Sequence, residues 1–257
     1  MKKKQQTLKE IFSNAYKKYK KQDFKESRVL CYKILSIDSN HFDTIVLLSN
    51  IYATNRDFKE AKNFLIQAFN LQPKNITILN NLGTACMQLN ELKNANMYYE
   101  KVIEIDSKNV NANYNLGLMS YRSKDLTKAK NYLENASKLQ PNFALSFAAL
   151  GNVFVDLKDY ENAIDNYKKA IQINPNLIAV YNNLGLAYRA LNDFKNAIKT
   201  YEKVIEKKTD YVNAHHNLGL AFKDIGEFDK SIKSHEMAIK YDSDNSIHYF
   251  YLSELKE

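Results

Sequence analysis

The residues with chemistry to offer are few: five histidines, two cysteines, some closely spaced carboxylates and a recurring asparagine. His215 and His216 are adjacent, so on a helix they point about 100° apart and do not chelate one metal easily. Asp156/Asp159 and Asp224/Glu227 fall where turns are expected and read as solvated carboxylates. The glycines are isolated, with no G-x-x-x-x-G-K stretch that could cradle a phosphate. No catalytic constellation, metal site or cofactor is therefore expected. The asparagines are different. Asn81, Asn115, Asn183 and Asn217 each precede Leu-Gly. Asn is a mediocre helix former, so folding alone gives little reason to repeat it. Its amide carries one acceptor and two donors, which match both groups of a peptide bond.

The elements that must position these side chains follow from one period. Glycines stand at 83, 117, 151, 185 and 219, each 34 residues after the last, and Pro73, Pro141 and Pro175 keep the same register. Two residue types locked to one spacing mark a repeat protein. With these glycines as the eighth residue, the repeats are 8–41, 42–75, 76–109, 110–143, 144–177, 178–211 and 212–245. A basic tail, 1–7, precedes them, and 246–257 reads as the first helix of an eighth or capping unit. The eighth and twentieth positions are always small, and the seventeenth is always large and apolar (Phe24, Phe58, Leu92, Leu126, Tyr160, Phe194, Phe228). In the sixth repeat, apolar residues recur at steps of three and four in two blocks, Tyr181 to Leu191 and Phe194 to Ile205, with a polar break at Asn192-Asp193. Each repeat is thus expected to be two antiparallel helices, brought close by the small residues. A helix pair of this size cannot bury its apolar faces alone, whereas stacked pairs form one continuous core. His235, Cys31 and Cys86 fall at core-type positions, and the two cysteines lie too far apart for a disulfide.

Leu-Gly, an aromatic three residues on (Tyr188, Phe154, Phe222), Asp-Phe or Asp-Tyr, Ala and then Pro together resemble the tetratricopeptide repeat over residues 8–257. The resemblance implies an all-α, right-handed superhelical solenoid of seven complete units and a partial eighth, with a concave groove lined by the first helices. There are departures. Asn14 stands where Leu is usual, Lys207 where an apolar residue is usual, and Asn113 and His215 where Trp is usual, weakening individual joints.

In this family, positions two, five, six, nine, twelve and thirteen line the groove. Those positions supply the candidate peptide-binding residues: Asn81, Asn115, Asn183, Asn217, Asn80, Asn182, Asn152, Tyr114, Leu118, Tyr121, Arg122, Leu186, Arg189 and His216. The recurrent Asn resembles the asparagine ladder in the repeats of the O-linked N-acetylglucosamine transferase. First helices packed about 10 Å apart would meet an extended peptide at about every third residue. Each Asn could instead bond a neighbouring helix or water. Asn183, with Asn182, Leu186 and Arg189, is expected to face the groove without a comparable folding duty. The fifth repeat interrupts the series with Leu145, Ala148, Ala149, Asn152, Val155 and Asp156, a largely apolar stretch suited either to a partner's hydrophobic side chain or to packing on itself across the inner curve. The carboxylate clamp of chaperone-tail binders is not expected, because no fifth position holds Lys.

The chain of 257 residues carries a net charge of +8, much of it in the first 25 residues. Without a concentration of Lys in the groove, this predicts no specific nucleic-acid partner. The start has no apolar core of a signal peptide, and no run is long enough to span a membrane. With two cysteines, a reduced, cytoplasmic setting is expected. The leading expectation is a non-enzymatic scaffold that binds an extended or amphipathic segment of a protein partner. One alternative is the substrate-recruiting region of a larger glycosyltransferase or sulfotransferase, suggested by an ending in mid-repeat. Another is self-assembly into a homo-oligomer through the apolar C-terminal helix, which carries Tyr249, Phe250, Tyr251 and Leu252.

Overall fold

The computed structural model describes residues 2–243 and 246–254, and all regular structure among them is α-helical. The helices are α1 (Lys2–Lys20), α2 (Phe24–Leu35), α3 (Phe42–Thr54), α4 (Phe58–Leu71) and α5 (Ile76–Gln88). Then follow α6 (Leu92–Ile105), α7 (Val110–Arg122), α8 (Leu126–Leu139), α9 (Ala144–Asp156) and α10 (Tyr160–Ile173). The last are α11 (Ile178–Ala190), α12 (Phe194–Lys207), α13 (Val212–Asp224), α14 (Phe228–Tyr241) and α15 (Ser246–Glu254). Residues 1–119 form one compact segment and residues 120–257 a second. Lys2 to Thr7, expected as a tail, are the first turns of α1. Residues 255–257 of the expected capping unit lie outside the described residues.

The turn inside each repeat is built the same way seven times. Its fifteenth residue (Gln22, Arg56, Asn90, Lys124, Lys158, Asn192, Gly226) is left-handed, with φ between 58° and 77°. Only the last is glycine, so the other six hold a conformation that costs an L-residue roughly 1–2 kcal/mol. The following residue starts the second helix. Asp23, Asp57, Asp125, Asp159 and Asp193 each accept a bond from the backbone N–H three residues on. This satisfies one of the donors a helix start leaves open. Glu91 and Glu227 hold the same position but make no such cap. Their carboxylates go instead to Lys62 and Asn94, and to Lys230 at 3.3 Å.

The two helices of a repeat meet at its eighth and twenty-fourth residues. A Cβ built on Gly83 would stand 2.6 Å from the Tyr99 ring, on Gly151 2.3 Å from Tyr167, and on Gly185 2.4 Å from Tyr201. Gly219 would meet His235 at 2.7 Å. Glycine therefore recurs to seat a large flat ring, and those tyrosines are among the largest fully buried side chains. In residues 1–119 the core continues through Ala15, Cys31, Ile45, Leu48, Leu65 and Leu82. Burial pushes the Cys31 and Cys86 thiols up to about 11, so neither is poised as a nucleophile.

Two of the departures from the repeat pattern have a structural use. Asn113 donates from Nδ2 to the carbonyls of Ser107 at 3.0 Å and Asn109 at 2.9 Å. His215 bonds the Thr209 carbonyl through Nε2 at 2.8 Å, and its ring stacks on Tyr241. Ser107 and Thr209 sit where Pro73, Pro141 and Pro175 punctuate other repeats. A side-chain bond to that carbonyl holds the connection where proline is missing, so these joints are differently made, not simply weakened.

Candidate functional site

The candidate groove residues divide by what their side chains already do. In residues 120–257 the Asn amides join neighbouring repeats. Asn152 Oδ1, on α9, accepts from Tyr167 Oη at 2.8 Å and from Asn183 Nδ2, on α11, at 3.1 Å. One repeat on, Asn217 Nδ2 on α13 donates to Asn182 Oδ1 on α11 at 3.0 Å. Asn217 is 8% exposed and Asn182 6%, so this bond is made away from water. Asn183 and Asn217 thus carry a folding duty that sequence spacing did not disclose. The signal was present as pairs, since Asn152/Asn183 and Asn182/Asn217 stand 31 and 35 residues apart.

In residues 1–119 the same residue type is less committed. Asn115 donates to the Asn111 carbonyl one turn back in its own helix, at 2.9 Å. Asn80 Nδ2 reaches Asn109 Oδ1 only at 3.4 Å, and the buried Asn80 Oδ1 has no partner among the described residues. Asn81, half-buried, lines a cleft of about 100 Å³ with Asn50, Ala53, Phe58 and Thr84. Its amide has no hydrogen-bond partner among the described residues. Tyr114 and Leu118 are half-buried on α7.

The groove cations are partly neutralised. Arg189 makes a fork to Asp224, Nε to Oδ2 at 2.5 Å and Nη2 to Oδ1 at 3.3 Å. Lys124 reaches Asp156 at 3.1 Å, and Lys223 reaches Glu254 at 2.7 Å. Asp156 and Asp224, expected as solvated turn carboxylates, are therefore ion-paired, and Asp159 is a helix cap. Arg122 is exposed. Tyr121 lies beside Asp156; burial, then that carboxylate, raises its hydroxyl above the usual tyrosine range. His216 packs edge-on to His235 and Tyr251, with ring centroids 5.3 Å from each.

Beside the polar Asp156 and Asn213, the first helices of residues 120–257 leave apolar side chains open. Leu145 is 44% exposed and Leu186 39%, with Ala148 and Val155 partly exposed. Leu186 borders a cleft of about 350 Å³ with Arg189, Asn192, Phe194 and Asp224.

Antiparallel pairs of 34 residues, joined by a left-handed turn and stacked through small residues, define a helical-repeat solenoid. Its repeats are tetratricopeptide repeats. TPR-repeat models match residues 151–190 and 185–226, and tetratricopeptide-repeat models match 42–75 and 214–245. A model for anaphase-promoting complex, cyclosome, subunit 3 matches residues 90–170. No curated protein matches the sequence. Among solved structures, the chain resembles YrrB, a TPR protein with an unusual peptide-binding site, at 21% identity and a TM-score of 0.66. The match covers 73% of this chain and 96% of YrrB. MamA matches at 26% identity and a TM-score of 0.61, over 66% of this chain and 93% of that one. The C-terminal part of a TPR repeat-containing protein from Cytophaga hutchinsonii matches at 17% identity and 0.74, covering 93% and 98%. Among the described residues, no helix is long and apolar enough to cross a membrane.

Proposed function

We propose that this chain is a protein-interaction scaffold that holds a segment of a partner protein against the first helices of its repeats. The observation that carries this reading is the exposure of Leu145 and Leu186 at groove positions, in a molecule whose other leucines on these helices are mostly buried. An exposed apolar side chain held on a rigid helix is a ready anchor for a partner's apolar residue. In residues 1–119, Asn81 adds an amide that is free to meet a peptide backbone. The ladder is therefore shorter than the recurrence of Asn suggests. Asn81 is its open rung, while Asn183 and Asn217 act by fixing adjacent first helices in place. The peptide-binding site of YrrB lends this reading support by analogy of fold.

The test is crosslinking capture with the whole chain and with Leu145→Glu/Leu186→Glu. Both leucines are exposed, so the variant should fold as the parent does. Loss of the captured partner is expected; equal recovery from both chains would contradict the proposal. A second reading rests on α15, where Tyr249 is 48% exposed and Phe250 59%. A second copy could cover that face, giving a mass in solution that rises with concentration.

A further inference from the structure

The face of residues 120–257 formed by second helices carries a cleft unlike the groove side. It lies between α10 and α12, has a volume of about 330 Å³, and is floored by Ile171 and Leu184 of α10 and α11. Lys168, Lys199 and Lys203 stand around it, with Tyr181, Tyr188 and Thr200 completing the wall.

Three observations make this more than a solvated face. First, none of the three lysines has a carboxylate within 4.0 Å among the described residues. Lys124, Lys128, Lys130, Lys138, Lys223 and Lys230 of the same segment do, whereas Lys158, Lys169, Lys195, Lys207, Lys208, Lys233 and Lys240 do not, so what counts is the gathering of three unpaired lysines round one cleft. Second, Lys203 and Lys207 lie over the Tyr181 ring, at 5.2 and 5.7 Å from its centroid, and Lys168 lies over Tyr188 at 5.6 Å. The Lys168 and Lys203 ammonium groups are thereby held at the mouth of an apolar cleft instead of ranging through solvent. Third, the Tyr181 hydroxyl lines the cleft without a hydrogen-bond partner among the described residues; it is not one of the fully buried polar atoms, so it can donate to water or to a carboxylate seated there.

We infer that this second-helix cleft binds an acidic segment of a protein partner, seating one apolar or aromatic side chain between α10 and α12 with carboxylates against Lys168, Lys199 and Lys203. The cleft suits a single side chain, and unpaired lysines at its rim give charge complementarity to flanking acids. A nucleic acid fits less well. Single strands need exposed ring faces for stacking, whereas Tyr181 is buried and its ring already lies beneath ammonium groups.

The probe is a fluorescein-labelled peptide with a central Phe flanked on each side by three Glu, titrated with the full chain and followed by anisotropy. Saturable binding is expected, with loss of affinity at raised salt. Lys199→Glu/Lys203→Glu should weaken it about tenfold or more, since like charges then face each other. Lys59→Glu/Lys93→Glu, exposed and outside both the cleft and the first-helix surface, makes the same change of charge and should leave it unchanged. If circular dichroism shows the reversal variant misfolded, Lys168→Gln/Lys199→Gln/Lys203→Gln replaces it and should weaken binding in the same direction. The inference is overturned by any of three results: no saturable binding, equal affinity in the lysine variants, or an oligouridylate of equal charge binding as tightly through the same lysines. Equal binding of a peptide with Ala in place of Phe would remove the apolar cleft from the account and overturn it too.

Discussion

Asn81 and Asn217 occupy the same position of two repeats, each followed by Leu-Gly, yet their amides have opposite fates. Asn217 is nearly buried and bonded to Asn182 of the preceding repeat. Asn81 lines an open cleft with no partner among the described residues. Part of the difference lies one repeat earlier: Asn182 offers Asn217 an acceptor, whereas the fifth position before Asn81 is Val46, which has none to offer. An acceptor there is not sufficient, since Asn115 has Asn80 at that place and bonds Asn111 of its own helix instead. Recurrence of a polar residue in a repeat protein thus does not fix its partner; the residues packed around it do.

The comparison can be sharpened by variants of graded effect. The largest is expected at the ring-on-glycine contact. Gly185→Ala forces a methyl against Tyr201 and should lower unfolding free energy by about 2 kcal/mol, after the gain in helix propensity is set against overpacking. Adding Tyr201→Leu should return part of that loss, because it rebuilds the Ser49 and Leu65 pairing of the second repeat; a urea-unfolding double-mutant cycle reads the coupling. Asn217→Ala comes next. It strands the buried Asn182 acceptor and should cost about 1–2 kcal/mol in urea denaturation. Breaking the Arg189–Asp224 fork with Arg189→Ala should cost only about 0.5 kcal/mol, a loss that shrinks in high salt, since both side chains are about 30% exposed. The smallest effect belongs to Lys158→Gly at a left-handed turn. Relief of backbone strain and greater freedom of the unfolded chain nearly cancel there, leaving a change of a few tenths of a kcal/mol by calorimetry.

The repeat architecture was legible in the sequence because it rests on residue types that tolerate few substitutes. Small residues at positions eight and twenty, a large apolar residue at seventeen and Asp at sixteen each answer one local demand of the helix pair. The left-handed turn residue was not legible, since Gln22, Arg56, Lys124 and Lys158 give no hint of a positive φ. The reason for four of the five glycines at position eight lay sixteen residues downstream, in Tyr99, Tyr167, Tyr201 and His235; Gly117 has Leu133 there instead. Asn113 and His215 looked like defects until the unpunctuated loops before them were seen to need a donor. The candidate site was legible as a list of positions but not as a division of labour. Face and period follow from spacing along one helix, whereas hydrogen-bond partners come from the next repeat.

The central claim is that the recurring asparagine does two jobs, one inside the molecule and one toward a partner. Its most direct test is parallel urea denaturation of Asn81→Ala and Asn217→Ala against the parent chain. Asn217→Ala is expected to lower unfolding free energy by about 1–2 kcal/mol while Asn81→Ala stays within about 0.5 kcal/mol of the parent. Equal losses from the two substitutions, or a larger loss from Asn81→Ala, would contradict it.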